Sequence, residues 1–155
     1  MVEFELGSAI GAGLAGGTVM IVLLYAGIVM MPDQMRMNLL YMLGSMMGTR
    51  GSSAYMLGLM MHLMASAAFG IVHASIFAAA DIEDAELLWG ALFGLGHAMI
   101  TGMMLVIMTA MHREMQAGRL EAPGAFGISL GRPTAMGFVM LHVIFGALVG
   151  VIYAA

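Results

Sequence analysis

Four histidines lie within long uncharged stretches of this 155-residue chain, and an imidazole can bind a metal ion, bind haem iron, relay a proton or form a hydrogen bond. They are His62, His73, His97 and His142. An ionisable side chain inside a membrane-spanning segment is a candidate for function by default. The fifth histidine, His112, lies beside Arg113, where a position at a membrane interface is ordinary.

The spacing of these histidines predicts that they lie at similar depths in the membrane, on helix faces that can point towards one another. His62 and His142 come near the middle of two stretches that would run parallel, so their depths differ by only about 3–4 Å at the helical rise. His73 follows His62 by three helical turns on the same face, and His97 lies near the middle of an antiparallel stretch. The four could therefore form a ladder of imidazoles across a helical bundle.

Three interpretations of this ladder are open. Each histidine could bond a serine, threonine or carbonyl of a neighbouring helix. Alternatively, His62 and His142 could be the axial ligands of haem b, or they could hold copper or zinc together with His97. A proton or solute path is the third interpretation, and it is weakened because all nine acidic residues lie outside the uncharged stretches.

Methionine extends the copper hypothesis, because thioether sulfur is a soft ligand that suits Cu(I). The chain has 21 methionines, and Met104 and Met108 share a predicted helix face with His97. The candidate metal ligands are then His62, His73, His97, His142, Met104 and Met108. Methionine is also an ordinary filler of irregular apolar gaps, which favours a packing role for most of these side chains.

The composition predicts an integral membrane protein whose main partner is the lipid bilayer. Hydrophobic residues make up 62% of the chain and charged residues 9%, and the mean hydropathy is +1.00. In a soluble domain, hydrophobic residues average roughly 45–50% and charged residues about 25%. A net charge of −4 without a basic patch argues against binding of nucleic acid.

Missing residue types and motifs exclude several kinds of chemistry. The chain has no cysteine, which excludes disulfides, cysteine-ligated zinc and iron–sulfur clusters. All five basic residues are arginines, so a lysine Schiff base is excluded as well. HExxH and GxSxG are absent, and we expect no enzymatic activity.

The uncharged stretches predict an all-α fold, a four-helix transmembrane bundle that forms one domain over residues 1–155. The predicted helices cover residues 8–31, 55–79, 87–111 and 134–154, and each exceeds the roughly 20 residues that a membrane span needs. Residues 33–48 begin after Pro32 with a helix-start pattern, and their apolar face predicts a short helix along the membrane interface. Residues 116–133 read as an irregular connector.

The arginines predict the orientation of the chain. All five lie in the connections 32–54 and 112–133. The positive-inside rule places both connections in the cytoplasm and both termini outside the cell membrane.

Every predicted helix carries small residues at a spacing of about one turn, which predicts close packing of the helices. Packing within the bundle is the ordinary interpretation, and a dimer interface is the alternative. Helices 2 and 4 also match at an offset of 80 residues, so that His62 corresponds to His142, which indicates two repeated αα-hairpins. The predicted packing residues are Gly13, Gly17, Gly70, Gly90, Gly94, Ala98, Gly102, Gly146 and Gly150.

Several of these motifs resemble a family of small four-helix integral membrane proteins, a domain of unknown function found in haloarchaea and other prokaryotes. The resemblance rests on Gly13-Leu-Ala-Gly-Gly-Thr-Val-Met20, Leu57-Gly-x3-His62, Gly90-x3-Gly94 and His142-x3-Gly146-x3-Gly150-x2-Tyr153. The methionine content, His73 and His97 depart from that pattern. The resemblance implies a four-helix bundle and supplies no activity.

The sequence therefore predicts a non-enzymatic membrane protein, a small accessory or structural subunit that associates with itself as a homo-oligomer or with a larger membrane complex. The alternative is a membrane haem- or copper-binding protein in which His62 and His142 hold the cofactor.

Overall fold

Four long helices account for most of the chain in a computed structural model, which describes residues 3–84 and 86–154. Two shorter helices and one 3-10 helix lie in the connections. In chain order the elements are α1 (Leu6–Met30), α2 (Leu39–Ser45), α3 (Ser52–Ala79), α4 (Glu86–Met111), α5 (Arg113–Gln116), η1 (Ala125–Leu130) and α6 (Arg132–Ala154).

The predicted all-α four-helix bundle, with a short helix between the first two long ones, is confirmed. α1, α3, α4 and α6 are each long and apolar enough to cross a bilayer, with mean hydropathies between 1.7 and 2.3 in their most apolar windows. At most 28% of each window is buried inside the protein. The remaining apolar surface of a multi-pass membrane protein is covered by lipid.

The four long helices are arranged around the bundle in the order α3, α1, α6, α4. The α4–α6 interface is the most extensive, and the α1–α3 and α1–α6 interfaces come next. Although α3 and α4 are consecutive in the chain, their backbones hardly approach each other. We call this boundary the α3–α4 seam.

Glycines bring the backbones together within two of the helix pairs. Gly13 of α1 faces the backbone of Ser66 in α3, and Gly90 of α4 faces the backbone of Gly146 in α6. Ser66 and Gly146 are equivalent at the offset of 80 residues. The α1–α3 and α4–α6 pairs thus form matching contacts at equivalent positions, as expected for two similar hairpins.

Both connections predicted to lie in the cytoplasm meet at one end of the bundle, where they form a loop cap made of residues 31–51 and 112–131. An apolar cluster joins the two connections to α4. The first connection is also bonded to the start of α6. There the Thr134 hydroxyl donates to the Gln34 carbonyl at 2.7 Å and accepts from the Arg36 amide at 3.2 Å. The buried members of the cluster are Met37, Met42, Leu105, Met115 and Leu130.

The short helix α2 differs from the expected interfacial segment 33–48 in length and surroundings. It spans seven residues, and Gly44 and Gly58 let its backbone pack directly against α3. The apolar side chains of Met35 and Met42 point into the protein and are buried. The apolar face was correctly recognised, but it contacts the bundle because two glycines remove the side chains that would hold α2 away.

The connector expected to be irregular over residues 116–133 contains η1, and α5 ends where this connector begins. Phe126 in η1 has φ +56, a left-handed conformation that a non-glycine residue rarely adopts. Its ring lies against Gly102 of α4, at the place where a side chain at position 102 would otherwise stand. Tertiary packing of this ring holds η1 on α4, and periodicity alone carries no signal for such a contact.

Candidate functional site

A cavity of about 190 Å³ lies inside the half of the bundle that adjoins the loop cap. All four long helices contribute to its wall, and Met35, Met37 and Met42 close it on the side of the loop cap. Most of the lining is made of methionine, leucine and phenylalanine side chains. A cavity with mostly apolar walls and a few convergent polar groups is the usual form of a small-molecule site.

Three of the four predicted histidines line this cavity. They are His62, His97 and His142, contributed by α3, α4 and α6. Two hydroxyl side chains stand beside them, Ser66 one turn after His62 and Thr101 one turn after His97. The structure therefore brings together the histidines that their predicted depth placed close to one another.

His62 is held by backbone and side-chain groups of α1 and α3. Its Nε2 lies 2.9 Å from the Gly17 carbonyl oxygen, and because a carbonyl can only accept, Nε2–H is the donor. The Ser66 hydroxyl lies 3.4 Å from the same nitrogen and donates to the His62 carbonyl at 2.8 Å. Gly17 makes room for this pair, because a side chain there would meet Ser66.

His142 has a different hydrogen-bond pattern. Its Nδ1 lies 2.7 Å from the Phe138 carbonyl oxygen, so Nδ1 carries the proton. Its Nε2 lies 3.1 Å from the Thr101 hydroxyl oxygen, which also donates to the His97 carbonyl at 2.8 Å. A carbonyl of its own helix thus fixes the tautomer of His142.

His97 and His73 are packed mainly by aromatic rings. The His97 ring stacks on Phe69 at 3.7 Å between centroids and contacts the edges of His142 and Phe145 at 4.9 and 5.4 Å. The ring centroid of His73 lies 5.6 Å from that of His97, and His73 does not line the cavity. Nδ1 of His73 and Nδ1 of His97 are both buried without a hydrogen-bond partner.

His112 is fully buried, in contrast to the expected position at the membrane interface. Its Nε2 lies 3.0 Å from the Met42 carbonyl oxygen and 3.3 Å from the Ser45 hydroxyl. The loop cap covers this residue because Met42 and Ser45 of α2 both contact its imidazole. A charged neighbour in the sequence, Arg113, is therefore a poor guide to exposure here.

The candidate methionines are separated by the structure. Met108 lines the cavity together with the three histidines, whereas the side chain of Met104 is 54% exposed on the outside of α4. Within residues 3–84 and 86–154, no three histidine or acidic side chains are grouped so that they could bind a metal ion together. The geometry thus assembles a histidine-lined cavity with one thioether, Met108.

The predicted packing residues all lie at helix contacts. Gly13, Gly17 and Gly70 pack between α1 and α3, and Gly90, Gly94, Gly146 and Gly150 pack between α4 and α6. Ala98 is completely buried, and Gly102 receives the ring of Phe126. At these positions the helices of one chain contact each other.

Aromatic side chains fill the α3–α4 seam in the half of the bundle away from the loop cap. Phe69, His73 and Phe77 of α3 face His97 and Phe93 of α4, with centroid distances from 3.7 Å for Phe69–His97 to 6.3 Å for His73–Phe93. Below Phe69, Ala65 both lines the cavity and is exposed. Ala65 is therefore the exposed residue of the cavity wall, and it lies beside the α3–α4 seam.

Sequence reasoning missed Thr101 and Phe145, and it placed Phe69 next to His73 without predicting its contact with His97. Thr101 follows His97 by one turn, a spacing that could have indicated a hydroxyl next to the imidazole layer. Phe69 and Phe145 touch His97 from other helices, and only the packing of the helices reveals those contacts.

Comparison with known proteins adds no further assignment. No family model, curated protein or solved structure matches this chain.

Proposed function

We propose that this multi-pass membrane protein has no enzymatic activity and binds a small apolar molecule inside its helical bundle. The observation that supports this function is the cavity of about 190 Å³, whose apolar wall includes three histidines and neighbouring hydroxyl groups. An engineered apolar cavity of about 150 Å³ is large enough to bind benzene. The cavity here has room for one ring or a short chain.

Access from the bilayer fits the same geometry. The ligand reaches the cavity between α3 and α4 beside Ala65, because that boundary lacks the backbone contacts that close the other interfaces. An apolar ligand dissolved in lipid then needs no aqueous route.

The proposed role is that of an accessory subunit, acting as a homo-oligomer or within a larger complex. In the described part of the chain, both long connections fold onto the bundle as the loop cap and form no separate domain. The binding function is therefore carried by the part of the protein that spans the membrane.

Haem or copper binding is the competing proposal, and Met108 beside three histidines is the observation that favours copper. Axial ligation of haem by His62 and His142 fits less well. His62 Nε2 donates to the Gly17 carbonyl and is not free to bind iron, whereas the bond from His142 Nδ1 to the Phe138 carbonyl leaves Nε2 of His142 free. The cavity is also smaller than the roughly 300–1,000 Å³ of drug-sized sites. Metal analysis of protein purified without chelator separates the proposals, because a copper site requires stoichiometric metal that is lost in His62→Gln and His142→Gln.

Thermal unfolding in lipid nanodiscs tests the apolar site, with nonylbenzene as the probe. Leu105→Trp enlarges a buried side chain that lines the cavity, and Leu95→Trp is the matched control on the exposed face of α4. We expect nonylbenzene to raise the Tm of the wild type and of Leu95→Trp, and to leave that of Leu105→Trp unchanged. Ligand at a hundredfold excess over Kd stabilises by about 2.7 kcal/mol.

An unchanged Tm of the wild type over the whole range of nonylbenzene would overturn the proposed function. An equal rise in Leu105→Trp and the wild type would also overturn it, since the effect would then come from the bilayer.

A further inference from the structure

Hydrogen-bond donors and acceptors around the cavity are unequally matched, and the mismatch is centred on His142. Nδ1 of His142 must carry its proton, because the group 2.7 Å away is the Phe138 carbonyl. A neutral imidazole has one ring proton, so Nε2 of His142 is an acceptor. That acceptor belongs to a side chain that lines the cavity.

Among residues 3–84 and 86–154, one hydroxyl group lies next to this acceptor, and it also contacts a second acceptor. The Thr101 oxygen lies 3.1 Å from His142 Nε2 and 2.8 Å from the His97 carbonyl oxygen. A hydroxyl group has one proton to donate. The contact to the carbonyl is the shorter one, so Nε2 of His142 competes with the His97 carbonyl for the single proton of Thr101.

The other hydroxyl groups of the cavity wall are committed as well. Ser66 donates to the His62 carbonyl at 2.8 Å, and Thr134 donates to the Gln34 carbonyl at 2.7 Å. The Nε2–H group of His62 donates to the Gly17 carbonyl at 2.9 Å. The hydroxyl groups of the wall therefore leave Nε2 of His142 without a proton of its own, and the His97 ring, whose Nδ1 is buried without a partner, is a second imidazole with unused hydrogen-bonding capacity.

We infer that the ligand is a membrane-soluble alcohol or phenol whose hydroxyl group donates to Nε2 of His142 while its apolar body fills the rest of the cavity. This inference rests on the proposed function and adds the chemical class of the ligand. A buried acceptor without a donor is unfavourable, and a ligand hydroxyl supplies the missing proton. An ether or a ketone would place a second acceptor against the lone pair.

The rest of the cavity wall suits such a ligand. Phe69, Phe138 and Phe145 present aromatic rings, and Met108 and Leu105 present flexible apolar chains. The proposed entry beside Ala65 leads to lipid, so a chain attached to the hydroxyl-bearing part can extend into the bilayer.

Three matched probes test the inference on the wild-type protein in nanodiscs. Nonylphenol has the hydroxyl donor, nonylanisole replaces its proton with a methyl group, and nonylbenzene lacks the oxygen. We expect nonylphenol to bind roughly threefold to tenfold more tightly than the other two, as one hydrogen bond allows. Nonanol, measured in parallel, distinguishes an aliphatic alcohol from a phenol as the preferred source of the hydroxyl.

Variants assign the preference to one nitrogen. His142→Phe removes the acceptor and keeps a flat ring, so we expect equal binding of nonylphenol and nonylanisole. His73→Phe is the matched control, a buried histidine outside the cavity, and it should keep the preference. Thr101→Val removes the competing hydroxyl with little change of shape, and the preference for nonylphenol should persist or increase.

Equal affinity of the wild type for all three probes would overturn the inference and leave the proposed function standing, because water would then satisfy His142. Loss of the preference in Thr101→Val, with retention in His142→Phe if that variant folds, would also overturn it. Absence of binding by every probe would overturn both proposals.

Discussion

Each imidazole in the bundle is fixed by a different set of neighbours. Backbone carbonyls orient His62 and His142, whereas aromatic rings hold His73 and His97. Neutral histidines that bond to a neighbouring helix were one of the three interpretations of the sequence, and His62 to Gly17 is such a contact. The chemistry open to each ring is therefore set by which nitrogen still lacks a partner.

The glycines allow a sharp test, because two on neighbouring helices have opposite surroundings. Gly146 faces the backbones of Gly90 and Gly94, whereas Gly96 has nothing within 4 Å of its side-chain position. We expect Gly146→Ala to destabilise the protein by about 1–3 kcal/mol through overpacking. Gly96→Ala should be neutral or stabilise by up to about 1 kcal/mol through helix propensity. Reversible unfolding in mixed micelles measures both.

A similar loss of stability in both variants would contradict close packing of α4 on α6. In that case a cost common to both positions, and not the contact between α4 and α6, would explain the loss.

The positions of the site residues could be predicted only in part. The depth of His62, His97 and His142 follows from the helical rise and the lengths of the uncharged stretches. That depth predicted that the three side chains lie close together, and they line one cavity. The same argument could not exclude His73 or Met104, because small rotations of a helix decide whether a side chain faces the cavity or the lipid. The burial of His112 depends on α2, whose docking the sequence pattern did not reveal.

The loop cap is held together by ion pairs as well as by its apolar cluster. Glu114 of α5 accepts hydrogen bonds from Arg119 at 2.8 and 3.0 Å and from Arg50, in the other connection, at 3.2 Å. These guanidinium groups lower the pKa of Glu114 from 4.5 to about 2. The Arg50 contact ties the two connections to each other across the end of the bundle.

The shifted pKa of Glu114 predicts how the loop cap responds to acid. Because the folded-state pKa lies below the unfolded one, the stabilisation is complete above pH 4.5 and is lost as the pH falls towards about 2. Hydrogen exchange of the backbone amides of residues 112–120 should speed up over that range in the wild type. Glu114→Gln should lack this dependence, and the effect should weaken in high salt because the pairs are exposed.

Glu121→Gln is the control, since it removes a carboxylate of the same connection that pairs with Arg36. If Glu114→Gln and the wild type respond identically to acid, the ion pairs do not hold the loop cap.

The long elements were predictable to within a few residues, whereas for the short ones the sequence predicted the presence of α2 but neither its packing nor η1. Uncharged stretches mark α1, α3, α4 and α6 to within about three residues, because exclusion of charge from lipid is a strong and local constraint. α2 and η1 depend on tertiary contacts, those of Gly44 with α3 and of Phe126 with Gly102. Such contacts join residues that are distant in the sequence.

The four long helices place both described ends of the chain at one end of the bundle and the loop cap at the opposite end. The Tyr153 hydroxyl accepts from the Glu5 amide at 3.1 Å, which joins the end of α6 to the start of α1. This arrangement agrees with an even number of membrane spans. From the distribution of arginine we propose that the end with the loop cap lies in the cytoplasm and the opposite end outside.

Cysteine labelling in intact cells tests that orientation, since the chain has no cysteine of its own. Asp84→Cys lies in the α3–α4 connection, and Gln116→Cys lies in the loop cap. We expect a membrane-impermeant maleimide to label position 84 and to label position 116 only after permeabilisation. The reverse pattern would place the arginine-rich connections outside.

The two glycine-packed helix pairs and the α3–α4 seam favour a stepwise order of assembly during translation. α1 and α3 can form their complete backbone contact as soon as α3 has entered the membrane, because that contact needs nothing from α4. The second hairpin can close in the same way when α6 emerges. Docking of α6 on α1 then follows, so the cavity is complete only after α6 has joined the bundle.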